Sequence, residues 1–165
     1  MPFAKWRKFM VGLGRGRAGY VGLWKQAITT VGNVGAGEDD LQTVTCEADG
    51  FYKNGQATRI RACGRTAANA NGKTFKLYFG GTSILTTGSV AANNKPWWVE
   101  ALVYRTALDT QVAFAWGTFN DVEIAPQRTA LTKDDGASII VKGTGEATAT
   151  DDIQQDYLGV YAETV

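Results

Sequence analysis

The stretch Gln56–Leu85, QATRIRACGRTAANANGKTFKLYFGGTSIL, decides the fold class. Arg59-Ile60-Arg61-Ala62-Cys63 alternates polar and apolar side chains, and so does Lys73-Thr74-Phe75-Lys76-Leu77-Tyr78-Phe79. Successive side chains of a strand point to opposite faces, so this pattern predicts strands with one buried and one wet face. Between them, residues 67–72 (AANANG) are small, polar and turn-forming. Gly80-Gly81 permits a sharp bend before Thr82-Ser83-Ile84-Leu85 resumes the pattern. The segment reads as strand, loop, strand, bend, strand. That is antiparallel β structure, with no catalytic group in view.

The same signals continue in both directions. Asp40–Cys46 alternates and reads as the first strand; strands follow at about 57–65, 73–80 and 82–87. Phe51 and Tyr52 are expected to tuck back onto the body. Asn93-Asn94-Lys95-Pro96 is a turn, and Trp97–Thr106 is a long strand with Val99, Ala101 and Val103 facing the core. Trp98, Glu100, Leu102 and Tyr104 share its other face. Gln111–Phe119 returns as the hairpin partner, with Val112, Phe114 and Trp116 on one face. Asp121–Leu131 contains Pro126, which suits an edge or a bend. Lys133-Asp134-Asp135-Gly136 turns the chain, and strands at 137–149 and 155–165 complete it. Regular short strands with turn signals between them, and no helix in the body, mean a sandwich or barrel. The expected fold is an all-β antiparallel sandwich, jelly-roll-like, of about eight strands. An extended N-terminal arm (1–26) and a small-residue linker (27–38) precede a sandwich domain at 39–165.

The chain has 165 residues, long enough to bury a core without a metal or disulfide. Net charge is +1, but its distribution is uneven. Residues 1–25 hold Lys5, Arg7, Lys8, Arg15, Arg17 and Lys25 and no acid, a charge of +6; the rest of the chain carries −5. Such asymmetry predicts an arm that lies on an acidic surface. Phe3, Trp6, Met10 and Leu13 fall at helical spacing, so residues 3–11 could form a short amphipathic helix, which the later glycines would end. Trp6, Phe9, Tyr20 and Trp24 need shelter that an isolated arm does not supply, so it must pack on its own domain or on a neighbour. Docking on another subunit is the preferred reading over a frayed basic terminus, with Lys5, Trp6, Arg7, Lys8, Phe9, Arg15, Arg17 and Trp24 as partner-binding residues. Arg15 and Arg17 interrupt any signal-peptide or membrane-spanning run. The basic residues are sparse and no nucleic-acid motif accompanies them, so neither nucleic acid nor a membrane is expected as partner.

Chemistry is scarce. The sequence has no histidine, the commonest metal ligand and the usual base near neutral pH. Cys46 and Cys63 both fall in expected strands, as small buried hydrophobes or as a disulfide pair. No phosphate-cradling loop follows a strand. Glu100, beside Trp98 and Tyr104, is the best candidate for a glycosidase carboxylate, although a charged residue on a wet sheet face is the plainer reading. Asp39-Asp40, Asp134-Asp135 and Asp151-Asp152 lack EF-hand spacing and read as turn residues. No enzyme activity, cofactor or metal is expected.

The segments GEDDL (37–41), RIRACGRTAANANGKTFKLYFGGT (59–82) and YLGVYAETV (157–165) resemble β-sandwich structural proteins of tailed bacteriophages. The similarity spans about residues 37–165 and omits the arm. It departs at Cys63-Gly64-Arg65, where a Trp-Gly-Thr run is more usual. The resemblance implies a jelly-roll-like domain, often trimeric, that decorates a capsid or builds tail and fibre parts. The expected function is a virion structural protein, assembled in the host cytoplasm. It would attach to the major capsid protein as a decoration or cement subunit through its arm. A tail, fibre or neck component bound to a tail or neck protein is the alternative. A carbohydrate-binding module is the second, with Trp97, Trp98 and Tyr104 the first aromatics to consider.

Overall fold

Among the described residues, eleven strands fold into two antiparallel sheets packed face to face. The computed structural model describes residues 21–163 apart from Tyr52. In chain order the strands are β1 (Val21–Ala27), β2 (Val31–Gly32), β3 (Gly37–Cys46), β4 (Ala57–Thr66), β5 (Thr74–Phe79) and β6 (Thr82–Thr86). They continue with β7 (Pro96–Ala107), β8 (Thr110–Phe119), β9 (Val122–Leu131), β10 (Ile139–Ala147) and β11 (Ile153–Glu163). The larger sheet runs β1-β11-β4-β7-β8-β9, with β2 also paired to β11; the smaller runs β3-β10-β5-β6. The chain changes sheet from β2 to β3, β3 to β4, β4 to β5, β6 to β7, β9 to β10 and β10 to β11, the repeated crossings of a jelly-roll-like sandwich.

The expected sandwich is therefore present, with strands beyond the eight or so expected. The additions lie at the start. Residues 21–26, read as the end of the arm, and Ala27, read as the start of the linker, form β1, which pairs with β11 from Val21↔Glu163 to Ala27↔Leu158. Within the 27–38 linker, Val31–Gly32 forms β2 and Gly37 opens β3. Small residues and glycines hid β2 and the start of β3, because no alternation runs long enough there to signal a strand. The helix considered for residues 3–11 lies outside the described residues.

The core forms where the inward sets of both sheets meet. Val99, Ala101 and Val103 are buried as expected, joined by Ile60, Ala62, Phe75, Leu77, Val141, Leu158 and Val160. Burying such aliphatic and aromatic side chains contributes about 1.5–3 kcal/mol each. Trp97 is 2% exposed and packs on Phe75, with ring centroids 4.3 Å apart. Phe51 meets Phe79 edge-on at 6.0 Å, so it does tuck in. Gly80 and Gly81 have φ of 55° and 78°, the left-handed pair that a two-residue hairpin between β5 and β6 requires. β9 is an edge strand, as Pro126 anticipated; the β8–β9 register shifts between Ala115 and Gly117, opposite Ala125-Pro126.

Polar knots close the sandwich at the two ends of β7. At its C-terminal end, Arg105 Nε donates to Asp135 Oδ2 at 2.7 Å, and Gln111 Nε2 donates to Asp135 Oδ1 at 2.6 Å. At the other end the 67–72 turn wraps Lys73. Its buried ammonium donates to the Asn69 carbonyl, to Asn69 Oδ1 and to the Asn71 carbonyl. Asn69 and Asn71 in turn donate to Asp152. Burial lowers the Lys73 pKa, with Asp152 opposing that shift. The turn that looked merely permissive in sequence is held by its own polar groups.

Candidate functional site

Of the expected partner-binding residues, Lys5, Trp6, Arg7, Lys8, Phe9, Arg15 and Arg17 lie outside the described residues. Trp24 is in β1, half-buried, and packs against the core of its own domain. Its six-membered ring sits over Gly50, where an added Cβ would come within 2.1 Å. Lys25 pairs with Glu47 at 3.1 Å. The end of the basic leader is thus tied into the sandwich by a strand, an indole and an ion pair.

The outer faces of the two sheets differ in chemistry. The smaller sheet exposes charge balanced by charge. Glu38 meets Lys76, accepts from Tyr78 Oη at 2.8 Å and accepts from Thr144 Oγ1 at 2.7 Å, while Lys142 pairs with Asp40. Burial alone would raise the Glu38 carboxyl, but hydrogen bonds from Lys76, Thr144 and Tyr78 outweigh it and hold the pKa at about 2. The larger sheet carries aromatics and arginines. β4 turns Arg59, Arg61, Cys63 and Arg65 outward; β7 turns Trp98, Glu100, Leu102 and Tyr104 outward; β8 adds Phe114 and Trp116.

These residues lie in cross-strand rows. The register places Tyr157, Cys63 and Trp98 side by side, then Gly159, Arg61 and Glu100, then Tyr161, Arg59 and Leu102. Glu100 bridges two arginines: Arg59 Nη1 bonds Oε1, and Arg61 Nε donates to Oε2 at 2.7 Å. Arg59 Nε also reaches Glu163 at 2.6 Å, and this hydrogen bond leads the causes that raise its pKa. Arg65 Nη1 lies 2.9 Å from both Asp156 oxygens. Three arginines meet three carboxylates, so the region is polar but close to neutral.

A depression of about 370 Å³ opens between these rows, lined by Arg61, Cys63, Trp98, Glu100, Tyr157 and Tyr161. Trp98 is 45% exposed and forms one wall. Tyr157 and Tyr161 form the other, their hydroxyls 2.5 Å apart. Burial and that hydrogen bond push the Tyr157 phenol up to about 12. Gly159 makes the arrangement possible: a Cβ there would come within 2.1 Å of the Tyr157 hydroxyl. The Arg61 guanidinium lies 5.6 Å from the centroid of the Tyr161 ring.

The structure divides the aromatics named from the sequence. Trp97 is no platform, because strand alternation sends it into the core as it sends Trp98 out. Tyr104 shares the outer face but lies six residues from Trp98, roughly 20 Å along the strand, and its ring stacks near Phe114 at 6.3 Å. The sequence reading missed Arg61, Cys63, Tyr157 and Tyr161 as neighbours of Trp98. Tyr157 and Tyr161 were readable as one strand face; their proximity to Trp98 depends on β11 pairing with β4, over ninety positions away.

Cys46 and Cys63 are both free. They belong to different sheets, Cys46 facing the core and Cys63 the depression, which removes the disulfide alternative. No group of three or more His, Cys, Asp or Glu side chains is arranged to hold a metal among the described residues. No protein-family model and no curated protein matches the chain.

Proposed function

We propose that the chain is a structural virion protein, a capsid decoration or cement subunit whose sandwich is a rigid body and whose leader attaches it. The observation that carries this reading is the placement of β1. The strand into which the leader runs is an outermost strand of the larger sheet, locked to β11 and pinned by Trp24 on the core. Force applied to residues 1–20 is therefore delivered to a strand integrated with the whole body.

The charge asymmetry and the sequence resemblance support the same reading. Trp6 and Phe9 fill apolar grooves on the partner, and Lys5, Arg7, Lys8, Arg15 and Arg17 meet its acidic surface. Buried aromatic anchors carry most of such binding energy, while rim charges set rate and register. Repetition around a closed homotrimer strengthens attachment through avidity. A chain lacking residues 1–20 tests this: the body stays folded and no longer binds particles. Truncated chain that binds as well as the whole chain would reject the reading. Localising labelled chain on assembled particles separates a capsid position from a tail, fibre or neck position.

A further inference from the structure

We propose that the depression between Trp98 and the Tyr157–Tyr161 pair binds a neutral saccharide, one sugar ring stacking on the Trp98 indole. This goes beyond attachment and does not depend on it, since none of the residues involved belongs to the leader.

Size, shape and charge each narrow the ligand. The depression is about 370 Å³, within the range of small-molecule sites. Its walls stand on β7 and β11, separated by β4 alone, so two inter-strand spacings of about 4.8 Å divide their backbones. A ring touching both walls at about 3.5–4.0 Å per side needs roughly 7–8 Å. The floor is kept low by Cys63, the small residue between Tyr157 and Trp98 in its row, while Gly159 lets the Tyr157 ring lie down along the sheet.

The polar groups suit hydroxyls. A pyranose presents a C–H face, which stacks on an aromatic ring, and a rim of hydroxyls that both donate and accept. Arg61 has a side chain 53% exposed, offering donors beyond the Nε bonded to Glu100. Glu100 offers carboxylate lone pairs. The tyrosine hydroxyls use one proton between them, so the other can reach a ligand. An anionic sugar gains little, because Arg59, Arg61 and Arg65 are already matched by Glu100, Glu163 and Asp156. A flat apolar ligand would cover the remaining Arg61 donors and the second tyrosine proton without replacing their water.

The test uses the full chain. An array of neutral and sialylated glycans is screened first, and the strongest neutral oligosaccharide is then titrated by calorimetry. Saturable binding of neutral glycans is expected. Trp98→Ala weakens it about tenfold or more. Cys63→Phe, which fills the floor, abolishes it, whereas Cys63→Ser and the distant Tyr104→Ala retain it. Thermal melts of each variant establish that the body is intact. Binding of no glycan, a preference for sialylated glycans, or neutral-glycan binding indifferent to both Trp98→Ala and Cys63→Phe would overturn the proposal. Any of those results leaves attachment through the leader untouched.

Discussion

The side chain of Gln127 on β9 completes a backbone pairing for Thr86 on β6. Its Nε2 donates to the Thr86 carbonyl at 2.8 Å, and its Oε1 accepts from the Thr86 N–H at 3.1 Å. These strands belong to different sheets and are edge strands of each. One amide thus acts as a short piece of strand and stitches the open side of the sandwich, where unpaired backbone would invite association. Replacing Gln127 with Ala removes both bonds. About 1 kcal/mol of stability is expected to go, and the Thr86 amide should exchange faster with solvent. Unchanged exchange at Thr86 would contradict the stitch.

Arg105 and Asp135 make a stronger prediction. The pair is buried, and Asp135 also accepts from Gln111 and from the Asp109 N–H at 2.8 Å. Removing one partner leaves the other charge without compensation in a dry site. Arg105→Met should cost about 3–5 kcal/mol in urea unfolding. A loss under 1 kcal/mol would show that water reaches Asp135.

Acid should loosen the smaller sheet at an unusually low pH. The Glu38 carboxyl is held at about 2 in the folded chain, below its ordinary value of 4.5. Because the folded pKa is depressed, its contribution is complete above about 4.5 and is lost as pH falls toward 2. The stability difference between the wild-type chain and Glu38→Gln should therefore narrow across that window. A difference independent of pH would assign Glu38 no electrostatic role.

Much of this architecture is legible in the amino-acid sequence because alternation survives wherever a strand has one wet face. β7 shows it well: Val99, Ala101 and Val103 go in, while Trp98, Glu100 and Tyr104 go out. Turn chemistry marks its own place at Gly80-Gly81 and Pro126. What local pattern does not carry is which strand lies beside which. Tyr157 meets Cys63, and Cys63 meets Trp98, through pairings between distant segments. The depression was therefore invisible, although each of its residues sat on a correctly read strand. β1 failed for another reason: its glycine, lysine and aromatic residues fit a basic arm as well as an edge strand.

The thiols give a direct check on sheet assignment. Burial pushes Cys46 up to about 12, and burial also raises Cys63, which is partly exposed. In native protein a thiol reagent should label Cys63 slowly and spare Cys46, and denaturant should release both at once. A single fast phase for two thiols in native protein, or none in denaturant without reductant, would contradict the placement.

The most direct test of the account is particle binding by chain lacking residues 1–20, measured alongside its melting temperature. An unchanged melt and no attachment are expected, because β1 and Trp24 remain to complete the body while the residues proposed to attach it are gone. Full attachment by the truncated chain would place the adhesive surface on the sandwich and contradict it.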